Sequence, residues 1–438
     1  MHWATPDERR KMGQARRKQA GRQQHAELNT KARHMPALEL LQRAERGRIP
    51  ALLKLKHGLM AQSPFVYFRG AAPVMAADLS MLPNTGIIAQ ICGDAHVRNL
   101  GAFAAPDGRL VFDINDFDET IRAPFEWDLK RMAASLVLAG RESGHKEGVA
   151  RAAVEQFVAR YIAKMTQFAK MPVLEVGRYQ VHRMGTVEPV HDALLKAERA
   201  TPLHTLAQLT EPASKRPGAP LRLRESKPAL TRVTGAQQTK VLGALGPYQE
   251  TLEPQRRHLL SLYRPIAVAF KVVGTGSVGL RDYCIYFEGN GASDPLFLQM
   301  KEEAPSVYAP YLHDAQPAHQ NGQRVVDGQR AMQLQSDPFL GWTHMEGRDY
   351  VVRQLNDHKG SIELEDLANT GLAAFAEICG ELLARGHARS GDPVMIEGYL
   401  GSGGGIGEAL AEFGSLYADQ TERDWQALRR SGKAKPIA

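Results

Sequence analysis

The chain has 438 residues, 43% of them hydrophobic and 24% charged, which suits a soluble globular protein with two or three lobes. No apolar run of about 18 residues occurs and the start is polar and basic, so neither a membrane span nor a secretory signal core is expected. Three scattered cysteines, Cys92, Cys284 and Cys379, lack C-x-x-C spacing; this argues against a structural zinc site and for reduced thiols in a cytoplasmic protein.

The formal charge of +7 is local: residues 1–57 carry 14 Lys/Arg against 5 Asp/Glu, a balance of +9, which leaves the rest near −2. Residues 1–36 read as a basic arm, frayed and partly helical, mobile or lying on the surface. Nucleic-acid contact is the less favoured use of this arm, because it lacks the interleaved aromatics that stack bases. Residues 37–60 read as helical pieces broken at Pro50. The stretch S-P-F-V-Y-F-R-G, 63–70, looks extended, with Arg69 a structural ion-pair partner in preference to a phosphate contact.

Residues 90–128 organise the chain. Two apolar runs, Ile87–Cys92 and Leu110–Ile114, flank a polar loop with a Pro106-Asp107-Gly108 turn signal, so a hairpin between them is expected. Asp94, Asp113, Asp116, Asp118, Glu119, His96 and Asn99 crowd onto its ends. So many carboxylates repel one another unless a cation sits among them, and carboxylate with Asn oxygen is a hard ligand set suited to Mg²⁺. His96 reads as a loop anchor. Helical periodicity follows over 125–140 and 148–168, then a loop-rich connector to about 235, then a helix over 236–262.

From 268 a strand enters the turn Gly274-Thr275-Gly276-Ser277-Val278-Gly279. Strands over 283–287 and 296–301 follow, the second carrying Lys301. Glycines let backbone amides approach phosphates, and a nearby strand lysine can reach them. Gln323–Gln335 reads as a helix with no Glu to pair with Lys301, so Glu302, Glu303 or a Gln must substitute. Two strands, 342–344 and 350–355, lead to a link at 353–357 over which an adenine would lie. A helix over 364–386 ends in G-H-A-R-S-G-D, whose His387, Arg389 and Asp392 are candidates for the same cleft. A flexible G-S-G-G-G run and a helix over 406–430 complete the chain.

The spacing of these groups resembles that of kinase-type enzymes. G-D-A-H-V-R-N-L-G resembles the G-D-x-H-x-x-N loop of aminoglycoside and choline kinase-like phosphotransferases. V-F-D-I-N-D-F-D-E resembles their metal-binding segment, and A-P-F-E-W-D-L-K-R-M-A the helix start that follows. The resemblance implies ATP and Mg²⁺ as cofactors. Asp94 becomes the catalytic base, Asn99 and Asp116 (or Asp113) the metal ligands, Gly274, Gly276, Ser277 and Gly279 the phosphate cover, and Lys301 the phosphate-holding cation. The order is reversed relative to an ordinary kinase. The expected fold is therefore α+β, a two-lobe protein kinase-like fold in circularly permuted order, with a catalytic hairpin in an N-terminal large lobe and an antiparallel sheet in a C-terminal small lobe. The expected divisions are 1–36, 37–262, 263–357 and 358–438, the last returning to the large lobe. The expected function is phosphoryl transfer to an unknown hydroxyl acceptor, small molecule or protein. The alternatives are a nucleotide-binding sensor without transfer and a metal-dependent phosphoesterase. Over about residues 40–420 the chain resembles the uncharacterised bacterial family called domain of unknown function 2252.

Overall fold

The acidic segment folds as two strand pairs, not as the single hairpin expected. A computed structural model describes residues 3–181, 186–216, 219–272, 274–312, 318–355 and 358–433. In it β1 (Ile88–Ile91) pairs with β4 (Ile121–Pro124), Ile91 opposite Ile121. A further strand, β2 (Leu100–Ala104), pairs with β3 (Leu110–Ile114) across the Asp107-Gly108 turn, and β13 (Gly360–Ser361) adds to the other edge of β2. The run Leu100-Gly-Ala-Phe-Ala is buried on both faces, so it lacks the alternation that would mark a strand.

The helices ahead of this segment are α1 (Pro6–Ala15), α2 (Ala37–Ala44), α3 (Pro50–Met60), α4 (Pro64–Gly70) and α5 (Ala72–Ser80). Residues 63–70 are thus helical, not extended. Ser63 caps the helix by accepting from the Val66 amide at 3.2 Å, and Pro64 supplies the fixed φ of a first turn, which outweighs the β-forming Phe-Val-Tyr-Phe.

The large-lobe core is built from α6 (Glu126–Glu142), α7 (Glu147–Lys170), α15 (Gly371–Ser390), α16 (Pro393–Leu400) and α17 (Ile406–Arg430). Helix α15 starts later than its apolar periodicity suggests, because residues 365–367 form a separate 3₁₀ turn. The connector holds α8 (Val173–Arg178), α9 (Glu188–Arg199), α10 (Pro202–Leu209), the β5 (Thr210–Pro212)–β6 (Leu221–Leu223) pair and β7 (Leu230–Val233). The expected helix over 236–262 is three short ones, α11 (Gly235–Gly243), α12 (Leu245–Gln249) and α13 (Pro254–Ser261), interrupted near Gly243 and Pro254.

The second lobe is an open antiparallel sheet in the order β11-β12-β10-β9-β8-β7. Its strands are β8 (Arg264–Lys271), β9 (Asp282–Glu288), β10 (Pro295–Glu303), β11 (Gly341–Met345) and β12 (Arg348–Gln354), with α14 (Asn321–Met332) between β10 and β11. The edge strand β7 is drawn from the connector. Leu296, Leu298 and Met300 face α11–α13, so the alternating Phe297, Gln299, Lys301 and Glu303 face the large lobe. The chain is therefore α+β with antiparallel sheets. Among the described residues no helix is long and apolar enough to cross a membrane.

The basic arm is docked. Helix α1 begins with a Thr5/Glu8 capping box and crosses α16 closely. A Cβ on Gly13 would lie 2.0 Å from the Met395 carbonyl oxygen, and one on Gly398 would lie 2.3 Å from that of Arg10. Arg9 pairs with Asp392 and Arg10 with Glu397, while Arg17 and Arg22 donate to the carbonyls of Gly398, Tyr399 and Leu400 that end α16. Gly13→Val should cost about 1–3 kcal/mol through overpacking. It should also open Arg9–Arg17 to trypsin; a melting curve and a timed digest check both.

Candidate functional site

Asp94 sits in a tight loop between β1 and the 3₁₀ turn Val97–Asn99. Asp128, in the first turn of α6, accepts from the amides of Cys92 at 2.9 Å and Gly93 at 3.0 Å. The Tyr308 hydroxyl donates to the Gly93 carbonyl at 2.6 Å. Gly93 has φ of +79°, and a Cβ there would lie 2.3 Å from the Glu119 carbonyl oxygen. Only glycine fits. Gly93→Ala should cost about 2–4 kcal/mol, left-handed strain plus overpacking. It should also displace Asp94 from Arg131, and denaturant titration reads the loss of stability.

The Asp94 carboxylate is held by Arg131, whose Nε donates at 2.5 Å. Arg131 is fully buried and lies over the Phe68 ring. Burial pushes the Asp94 carboxyl up, against the pull of Arg131. The other Asp94 oxygen is 3.6 Å from His96 Nε2. His96 Nδ1 accepts from the Arg98 amide at 3.2 Å, and burial holds the ring well below its usual pKa, as a neutral loop anchor. Asn99 Nδ2 donates to the Asp94 carbonyl at 2.9 Å, which fixes the amide beside the loop.

Asp116 and Asp118 follow β3. The Asp118 amide donates to Asp116 Oδ1 at 3.3 Å. Burial, and then the like charge of Asp118, push Asp116 up to about 6. Asp118 is also buried, yet Lys301 holds it below the ordinary carboxylate range. Lys301 Nζ is ion-paired to Asp118 Oδ2, and Ser277 Oγ donates to the same oxygen at 3.3 Å. The Gly-rich turn and the strand lysine thus close onto the acidic segment from 159 and 183 residues away.

Lys301 therefore takes its partner from the other lobe, not from any of the substitutes expected in its own. Glu302 is paired with Arg281 and Arg348, on the opposite face of β10. Glu303 shares the Lys301 face, but burial and Asp118 keep its carboxyl well above the usual range. Helix α14 reaches the acidic segment through Arg324, which donates to the carbonyls of Asp118 and Thr120.

Asp113 is set apart from this group. It is buried against Arg385 at 2.5 Å and does not line the cleft. His387, Arg389 and Asp392 do not line it either. His387 lies behind the loop, between the Tyr161 hydroxyl and Asp128; Arg389 donates to the Gly177 carbonyl; Asp392 caps α16 and pairs with Arg9. The expected adenine position is partly filled: Leu355 packs with Phe297, Leu223 and Leu230, and residues 356–357 of the link lie outside the described residues.

A cavity of about 490 Å³ flanks the link, lined by Phe297, Gln354 and His358 among others, apart from the acidic segment. A cavity of about 560 Å³ is lined by Asp94, Asn99, Asp116, Asp118, Glu119 and Gly274–Ser277, and it is closed by α2–α5. Gly274 and Gly279 have φ of +64° and +95°, turning the loop over this space. The loop carbonyls are tied down: Arg48 donates to Gly276 at 2.8 Å and to Val278 at 2.7 Å, and Lys56 donates to Thr275 and Gly276 at 3.1 Å. The amides of Gly274–Ser277 donate to nothing among the described residues. Arg48, Lys56 and Arg131 carry no sequence signal of their own; only the closeness of Arg131 to Asp128 on one helix face hints that it belongs to the loop.

Among the described residues no three His, Cys, Asp or Glu side chains form a ready metal cage. A cation held by one or two carboxylates and a ligand's phosphates needs no such cage, and Asp116 with the Asn99 oxygen suits a hard cation of this kind. No curated protein and no solved structure matches the chain. A family model described as an uncharacterized protein conserved in bacteria, DUF2252, matches residues 48–431, so the chain belongs to that family.

Proposed function

We propose that this cleft transfers a phosphoryl group from ATP, with Mg²⁺, to a hydroxyl acceptor, on a kinase-like fold whose lobes run in permuted order. One observation carries the reading: Asp94, Asn99, Asp116 and Asp118 meet Gly274–Ser277 in one cavity, and Lys301 pairs with Asp118 of that group, although the two sets lie far apart in sequence. The small-lobe order of strand, Gly-rich turn, strand, lysine strand, helix and two strands also suits it.

Asp94 orients the acceptor hydroxyl and takes its proton, with Arg131 fixing the carboxylate. The free amides of the Gly-rich loop and Lys301 receive phosphate oxygens. Asp116 and the Asn99 oxygen would hold Mg²⁺, which supplies charge neutralisation at the phosphates. Catalysis on this account is positioning and electrostatics.

A second reading, nucleotide binding without transfer, is favoured by the pairing of Lys301 with Asp118 in place of a helix Glu. Calorimetric titration of ATP with and without Mg²⁺, into wild type and Asp116→Asn, tests the first. The expected result is metal-dependent binding weakened at least tenfold by the substitution, with turnover once an acceptor is supplied. Absence of ATP binding in wild type sinks both readings, and binding with no turnover across acceptors leaves the second.

A further inference from the structure

The cleft wall opposite the carboxylates is cationic, and its cations lack counter-ions. Arg48 precedes α3, Lys56 lies on α3 and Arg69 on α4, and all three line the 560 Å³ cavity. None forms an ion pair among the described residues. Arg48 and Lys56 donate only to loop carbonyls, and the side chain of Arg69 donates to no described residue. Nε of Arg48 and Nε of Arg69 are buried with no partner. The expected structural ion pair of Arg69 is thus not formed among the described residues.

Of the carboxylates that line the cavity, Asp116 and Glu303 also form no ion pair among the described residues, and the others have partners of their own. Asp94 is held by Arg131, Asp118 by Lys301 and Glu45 by His57, while Glu119 accepts from the Val307 amide. Unpaired charge in a buried place is costly unless something else supplies the opposite sign. Burial, and then the like charge of Arg48, push Lys56 down to about 7. Beyond the three cations the lining combines apolar Leu40, Leu41, Pro73 and Tyr311 with Arg43 and Arg46.

We propose that Arg48, Lys56 and Arg69 form an anion shelf that binds a phosphate group of a ligand whose organic part rests on Leu40, Leu41, Pro73 and Tyr311. This deepens the phosphotransferase reading, but its test is independent of it. The phosphate has two sources: the nucleotide's own chain, or a phosphate already carried by the acceptor. Arginine with an unfilled guanidinium edge suits either, because it can take two phosphate oxygens at once.

The experiment titrates sodium triphosphate into the full chain in EDTA, without metal or nucleotide. Binding to wild type is expected, at least tenfold weaker in Arg69→Met, intermediate in Arg69→Lys, and not weakened in Asp116→Asn. Circular dichroism melts show which variants are folded. If Arg69→Met is not, Arg69→Lys and Lys56→Met carry the comparison. No binding by wild type, equal binding in all the folded cation variants, or a loss confined to Asp116→Asn overturns the shelf. Once it stands, inorganic phosphate titrated with and without saturating Mg²⁺-ATP separates the sources. Competition assigns the shelf to the nucleotide's phosphates; undiminished binding assigns it to the acceptor. Failure of ATP binding with triphosphate binding intact would remove the phosphotransferase reading alone.

Discussion

Asp94→Asn should, on the proposed reading, lower phosphoryl transfer by about 10²- to 10⁴-fold, the range that a positioned general base supplies. The substitution keeps the shape and removes the charge. Asn99 and Asp116 stay in place, so Mg²⁺-dependent nucleotide binding should change little. A second effect follows from Arg131, which is fully buried and whose carboxylate partner is Asp94. Removing one side of a buried pair leaves the other uncompensated, at about 3–5 kcal/mol. Asp94→Asn should therefore also melt earlier. Combining it with Arg131→Met, which is apolar and can lie on Phe68, should restore much of the stability and none of the transfer. Single-turnover rates beside denaturant titrations separate the two. A rate within tenfold of wild type in folded Asp94→Asn would exclude the base role.

Lys301→Met should have the next largest effect. Its ammonium is buried against Asp118, and the pair ties the two lobes together. Loss of the lysine leaves Asp118 with the Ser277 hydroxyl, at about 3–5 kcal/mol, and Asp118→Asn in the same chain should recover most of that. The pH dependence has a definite sign. Asp118 is held below its unfolded value of about 3.9, so the pair stabilises the protein above that pH and the benefit fades as acid protonates the carboxylate. The gap between wild type and Lys301→Met should narrow on acidification, as the buried Asp118 that has lost its cation takes up a proton in the variant. A gap that instead widens on acidification would show that the lysine acts elsewhere. On the proposed reading, the same variant loses the cation that faces the nucleotide phosphates, and transfer falls with stability.

The residues of the candidate site are legible in the sequence because their types and spacings are local. Asp94 with Asn99 five positions on, the Asp116–Asp118 cluster, and a Gly-rich turn followed by a strand lysine can each be read within a short window. What joins them is not local. The Lys301 partner is 183 residues upstream, and nothing in the composition of either segment points to Asp118 over its four neighbouring carboxylates. The same limit explains the arm: Arg10, Arg17 and Arg22 read as solvated basic residues until α16 brings the Glu397 carboxylate and its own terminal carbonyls to them. At 63–70 the competing signals were both local. The apolar aromatics suggest a strand, whereas the Ser-Pro start decides for a helix. Arg48 and Lys56 came to light only through the cavity that they share with Arg69.

The return of the chain to the large lobe orders events at the ribosome. Helices α7 and α15 make the largest helix–helix contact in the protein, yet the whole six-stranded sheet is synthesised between them. At about 5–20 residues per second, Lys301 emerges roughly 10–40 s after Asp118. For that interval the acidic segment is exposed without its cation, and the apolar face of α7 waits without α15. The sheet, contiguous apart from β7, can close before the lobe that starts ahead of it. A nascent chain released after residue 355 should therefore present a protease-resistant sheet beside an open, chaperone-accessible helical half.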